Sequence, residues 1–239
     1  MALLEGRGLS KRFGGVQALE NVDFEVDAGT IVGLIGPNGA GKTTLFNIVA
    51  GAFPPSAGAV FFKGEAITEM PAFRICRQGI ARTFQVTRPF GEMTCLENVA
   101  VAAVNRHPGC SRDQWMDLAG DSLEAVGLGA LKDTEAKHLN VIQKKRLEIA
   151  RSLATEPTLL MLDEVLGGLN TQEIQEAIVF IRRLRDERNL TIFWIEHVMG
   201  AIMQATEKVI VLDQGKILMV GPPGDVVADE RVIHAYLGD

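Results

Sequence analysis

Apolar residues along the chain change rhythm twice. Residues 3–9 and 22–26 read as strands, the second alternating through "NVDFEVDAGT". The run "TIVGLIG", 30–36, is apolar throughout and closed by glycine, which predicts a strand covered on both faces. "KTTLFNIVAG" then predicts a helix ending at Gly51, and "AFPPSAGAVFFKGEAI" predicts turns with a short strand pair. From residue 85 to 154 strand-like runs give way to helical spacing in "CLENVAVAAV", "SRDQWMDLAGDSLEAVGLG" and "KKRLEIARSLA". In the last of these, Leu147, Ala150, Leu153 and Ala154 share one face. Alternation resumes with a strand at 158–162 and another at 191–195. Between them lies a helix capped by Asn170 and Glu173, with an apolar stripe Ile174, Ala177, Ile178, Ile181, Leu184. A hairpin through 213–215 and a short helical tail, "VIHAYLGD", close the chain.

Strands that alternate with helices predict an α/β fold with a mainly parallel sheet, preceded by antiparallel N-terminal strands. The all-helical stretch 85–154 reads as a subdomain inserted into a core made of 1–84 and 155–239. With 239 residues, 47% hydrophobic, the chain has the bulk of a globular protein. The net charge of −6 argues against a nucleic-acid footprint and against direct docking on anionic lipid. Cys76, Cys95 and Cys110 show no metal-ligand spacing and are expected as reduced thiols. No window approaches the roughly 20 apolar residues of a spanning helix, so a soluble chain is expected, with any membrane role exercised through a partner.

"GPNGAGKTT" fits G-x-x-x-x-G-K-[ST] between the buried strand and a helix, the context that confirms a phosphate loop. The core is therefore expected to be of P-loop NTPase type. In the loop Gly36, Pro37, Asn38, Gly39, Ala40, Gly41 the glycines would let backbone N–H groups converge on phosphate oxygens, and the helix start adds donors and partial positive charge. Lys42 would reach the β- and γ-phosphates, with Thr43 and Thr44 following; the Thr43 hydroxyl is a candidate Mg²⁺ ligand. Asp163 and Glu164 end a buried strand and should face the same crevice. Asp163 is placed to hold the metal, and Glu164 to polarise the attacking water. Gln85, at the junction with the helical insertion, could contact Mg²⁺ and the water, and His197, after another buried strand, the γ-phosphate.

In this order "GPNGAGKTT", Gln85, a helical insertion, "LLMLDE", "GGLN" and His197 resemble the nucleotide-binding subunit of an ATP-binding cassette transporter. The resemblance covers essentially the whole chain. It implies ATP and Mg²⁺ as ligands and a head-to-tail cassette dimer enclosing two ATP molecules. By motif, Phe13 matches the aromatic that stacks on adenine, with Val16 beside it. Residues 166–170 match a loop that crosses the dimer interface, and 86–99 match the surface that receives a membrane subunit. "ARTFQVTRPFGEMTCLENVAVAA", "IEHVM" and the tail look most like subunits of branched-chain amino acid importers, whose relatives also carry amides, urea or aromatic acids. Transmembrane permease subunits are then direct partners and a periplasmic or extracellular solute-binding protein an indirect one, with no nucleic acid. The expected location is the cytoplasmic face of the membrane, held through those partners.

One motif departs from the family. Where it typically has LSGGQ, this chain reads Leu139, Asn140, Val141, Ile142, Gln143. Asn140 and Gln143 remain candidate nucleotide contacts, but β-branched Ile142 replaces the glycine that permits close approach. The basic triplet Lys144, Lys145, Arg146 is expected on a solvated surface. Val165 stands where the family typically has proline. The expectation is an asymmetric pair of sites, which suits a heterodimer with a second cassette better than a homodimer. Competing classes are a cassette ATPase outside transport and a P-loop kinase or GTPase. The short helical stretch disfavours the first; the combination of Gln85, paired acids and His197 disfavours the second.

Overall fold

The computed structural model describes residues 2–85 and 87–237. Val86, which opens the expected partner-facing segment, and Met1, Gly238 and Asp239 lie outside the described residues. The chain forms two compact units, 1–75 with 161–239 and 76–160. The change from strand-like to helical spacing puts those limits at 84/85 and 154/155 instead.

In the first unit the chain runs β1 (Ala2–Phe13), β2 (Val16–Asp27), β3 (Ile31–Ile35), α1 (Lys42–Val49), β4 (Ala57–Phe62) and β5 (Glu65–Ala66). β1 and β2 pair antiparallel and extend well past the apolar stretches that predicted them, because several bulges carry the pairing through polar residues to Phe13 opposite Val16. With β4 and β5 they form a four-stranded sheet ordered β2-β1-β4-β5.

After α2 (Ala72–Gln78) and β6 (Ile80–Arg82) come the helices of the second unit: α3 (Cys95–Arg106), α4 (Arg112–Ala125) and α5 (Val141–Leu153). The chain returns through β7 (Leu159–Asp163), α6 (Thr171–Arg188), β8 (Thr191–Ile195), α7 (Met199–Ala205), β9 (Lys208–Asp213) and β10 (Lys216–Gly221), and ends in α8 (Pro223–Ala228) and α9 (Glu230–Leu237). The second sheet is ordered β10-β9-β3-β8-β7, with β6 next to the first residues of β7. β3 is parallel to both β8 and β9, while β10 is an antiparallel edge. Every residue of β3, β7 and β8 is buried, as a parallel sheet covered on both faces requires. Phe193 of β8 packs between Phe24 of β2 and Phe46 of α1, at 5.7 and 4.9 Å between ring centroids, and ties the two sheets and the first helix into one core. α2, β6 and α7 had no counterpart in the sequence reading; each is seven residues or fewer, too short for a periodic stripe to show.

In the second unit α3, α4 and α5 each begin with a capping box, Thr94 with Glu97, Ser111 with Gln114 and Asn140 with Gln143. Buried Asn98 accepts from the Phe90 N–H and donates to the Phe90, Met93 and Thr94 carbonyls, fixing the loop before α3. Leu147, Ala150, Leu153 and Ala154 are buried, as the apolar face of α5 required. Lys144, Lys145 and Arg146 are half-buried rather than solvated, which corrects the expectation. They lie on a helix packed against α3 and α4, and Arg146 reaches the open side of Gly127. All three cysteines are free thiols. Among the described residues, no helix is long and apolar enough to cross a membrane.

Candidate functional site

The site lies in the first unit, at the carboxyl ends of β3, β7 and β8. β3 runs into the loop 36–41, and two of its glycines are forced by neighbours. A Cβ on Gly36 (φ 151°) would collide with the Leu212 carbonyl oxygen, and one on Gly41 (φ 104°) with that of Ala18. The Gly215 N–H donates to the Ala40 carbonyl at 3.0 Å, so the β9–β10 turn supports the loop from behind. Gly41 caps α1 with backbone alone: no side chain occupies the first donors of the helix, and its first turn contains no acid. An N-terminus left open in this way is suited to phosphate.

Lys42 is nearly buried, and its Nζ donates to the carbonyls of Gly36 and Pro37 at 2.7 and 2.9 Å. Burial lowers its pKa from the ordinary lysine value, and the charges of Glu164 and Asp163 oppose that fall. Both carboxylates thus lie close enough to Lys42 for their charge to favour its protonated form. Thr43 follows on the first turn of α1 with its side chain exposed.

Asp163 is buried at the last position of β7. Glu164, one residue on, has φ 50°, a left-handed backbone that a side-chain-bearing residue rarely adopts. Its N–H donates to the Ile195 carbonyl at 3.0 Å, and its carboxylate contacts the His197 imidazole at Nε2. His197 thus faces the acid that follows β7. Val165 is half-buried in the turn that follows.

Phe13 and Val16 sit opposite each other at the tip of the β1–β2 hairpin, 47% and 67% exposed, so Phe13 is not a core residue. Phe13 meets Phe53 edge-to-face at 5.3 Å, and Lys11 Nζ lies over both rings. An exposed aromatic ring, backed by a half-buried one and a cation, is a surface on which a planar base can stack.

The remaining candidates belong to the second unit. Gln85 is exposed just beyond β6, after Phe84, whose N–H donates to the Glu148 carboxylate of α5. Asn140 and Gln143 bind each other: the Gln143 N–H donates to Asn140 Oδ1 at 2.8 Å, and the Asn140 N–H to Gln143 Oε1 at 3.0 Å. This reciprocal cap closes the start of α5.

Two residues near the site had no part in the sequence reading. Glu196, between β8 and His197, is 2% exposed and accepts from the Leu166 N–H at 2.7 Å and the His197 N–H at 3.2 Å. Burial pushes its carboxyl up from the ordinary glutamate value, against the pull of those two amides. Tyr236 of α9 accepts the Gly36 N–H at 2.6 Å, and burial raises its phenol. An acid directly after the apolar run 192–195 is the available signal for Glu196; nothing local marks Tyr236, which is 200 residues from its partner.

Thr43 would offer a hydroxyl and Asp163 a carboxylate to a magnesium nucleotide. Both are hard oxygen donors, the kind Mg²⁺ takes together with retained waters and phosphate oxygens.

The ABC transporter family profile matches residues 19–167. The high-affinity branched-chain amino acid transport ATP-binding protein BraF of Pseudomonas aeruginosa is 40% identical, over 99% of this chain and 98% of its own. The corresponding protein LivG of Escherichia coli is also 40% identical, with the same coverage. Among solved structures, a nucleotide-free ATP-binding cassette from an ABC transporter superposes with a TM-score of 0.90 at 29% identity, covering all of both chains.

Proposed function

The chain belongs to the ATP-binding cassette transporter family, and on that premise we propose that it powers import of branched-chain amino acids or related small polar solutes. The observation that carries this reading is the convergence of Lys42, Asp163, Glu164 and His197 at the carboxyl ends of β3, β7 and β8. The solute class rests on the relatives named above.

ATP would lie with its adenine on Phe13, beside Val16, and its triphosphate along 36–44. The amides of Gly39, Ala40 and Gly41 and of the first turn of α1 would donate to phosphate oxygens. On binding, Lys42 would exchange its two carbonyl acceptors for the β- and γ-phosphates. Glu164 would polarise the water that attacks the γ-phosphorus, and His197 would leave Glu164 to bind the transferring phosphoryl group. Thr43 and Asp163 would hold Mg²⁺, which neutralises charge on the β- and γ-oxygens. For Gln85 a role toward metal and water rests on its place in the family's motif order alone.

The start of α5 supports pairing with a second cassette. Asn140 and Gln143 are engaged with each other and Ile142 stands where close approach is needed, so a site completed by this segment would be the poorer one. The site built on Lys42 and Glu164 would be completed by a partner's intact signature. Permease subunits would anchor the pair at the cytoplasmic face of the membrane and take solute from a binding protein outside.

The test is reconstitution of the full chain with its partner cassette and permeases in vesicles. ATP-dependent uptake of leucine, isoleucine or valine is expected, abolished by Glu164→Gln while ATP binding persists. Uptake indifferent to Glu164→Gln would overturn the site; uptake of unrelated solutes alone would overturn the solute class.

A further inference from the structure

The turn that carries Glu164 is held in an unfavourable shape. At φ 50° Glu164 lies in a region that disfavours any residue with a Cβ, and such backbones persist only where their surroundings fix them. Two hydrogen bonds flank it. On one side the Glu164 N–H donates to the Ile195 carbonyl at the end of β8. On the other, two residues on, the Leu166 N–H donates at 2.7 Å to Oε1 of Glu196. The second carboxylate oxygen of Glu196 accepts the N–H of His197 at 3.2 Å, and His197 in turn contacts the Glu164 carboxylate. One buried acid thereby fixes the backbone on both sides of the Glu164–His197 pair.

We propose that Glu196 is a positioning residue for ATP hydrolysis. It holds the turn 164–166 so that the Glu164 carboxylate stays aimed at the attacking water, and it sets the backbone of His197, without touching the nucleotide. The inference rests on the reading of Glu164 as the group that polarises water. The chemistry calls for a carboxylate: both of its oxygens accept from backbone N–H donors, whereas an amide would turn an NH₂ group toward one of them.

The test compares Glu196→Gln, Glu196→Ala and Glu164→Gln in the full chain assembled with its partner cassette and permeases. Glu196→Gln keeps one acceptor and should lower kcat roughly tenfold; Glu196→Ala removes both and should lower it on the order of a hundredfold. In both, the KM for ATP and the affinity of the purified chain for a fluorescent ATP analogue should stay within about twofold, because the phosphate loop is untouched. Amide exchange should quicken at 164–168 and not at 36–44. A role limited to stability would lower the melting temperature and leave kcat of the folded fraction unchanged, which overturns the proposal. An increase in KM matching the loss of kcat overturns it too. If Glu164→Gln retains parental kcat, the reading of Glu164 itself is wrong; if Glu164→Gln is inactive and the Glu196 variants are not impaired, only the positioning role is lost.

Discussion

Two helices of this protein begin where the sequence places nucleotide contacts, and they begin differently. α1 starts from Gly41 with no side-chain cap, so its first N–H groups have no side-chain competitor. α5 starts from Asn140 in a capping box that takes the N–H groups of Asn140 and Gln143. The first arrangement gives up a cap worth about 1 kcal/mol and keeps donors for a ligand; the second has the cap and fewer donors. The amides left at α5 are those of Val141 and Ile142, beneath branched side chains. The start of α1 is therefore open to an anionic ligand, whereas the start of α5 is closed by its own side chains.

The contrast can be broken most strongly at the open start. Lys42→Ala should weaken ATP binding about a hundredfold, since charge-assisted hydrogen bonds to phosphate are lost; titration with a fluorescent analogue measures it. Phe13→Ala should raise the KM for ATP roughly ten- to thirtyfold with little change in kcat, as expected for the loss of base stacking worth about 1.5–2 kcal/mol.

At the closed start, Asn140→Ser combined with Ile142→Gly should raise the ATPase rate of the chain assayed alone about tenfold. It should also lower the melting temperature by a few degrees, because glycine within a helix costs about 1 kcal/mol. Opposite signs for activity and stability are the mark of a helix start exchanged from cap to ligand duty; a rise in both would refute the contrast. Asn140→Ala should remove about 1 kcal/mol, seen as a shift of some 2–4 °C, and leave ATP affinity of the chain unchanged.

The smallest effect is in pH. Because burial lowers the Lys42 pKa in the folded chain, its charge costs stability at neutral pH, and that cost is relieved as pH rises through the lowered value. ATP affinity should move the other way, falling as pH rises, and the fall should begin before pH 10.5, the ordinary lysine value, is reached. Parallel titrations of affinity and melting temperature, with Lys42→Ala as the flat control, check both signs.

Much of this was legible because it is local. The loop 36–44 identifies itself by residue type and spacing. β3, β7 and β8 announce burial through uninterrupted apolar runs, and the capping pair Asn170–Glu173 marks the start of α6. The acids at the end of β7 could be aimed at the loop from sheet topology alone. The length of β1 and β2 was not legible, since bulges let polar residues join a ladder, and the half-burial of the basic triplet depends on which helices pack against α5.

Sequence alone determined the chemistry: the glycines, the lysine, the paired acids and the order in which they occur follow from residue type at short range. Only the tertiary structure decided how that chemistry is held. The left-handed backbone of Glu164, the Glu196 carboxylate beneath it and the Tyr236 hydroxyl on Gly36 join segments up to 200 residues apart. Their partners are backbone amides, which every non-proline residue carries, so no pattern in the chain can say which of them a buried side chain will meet.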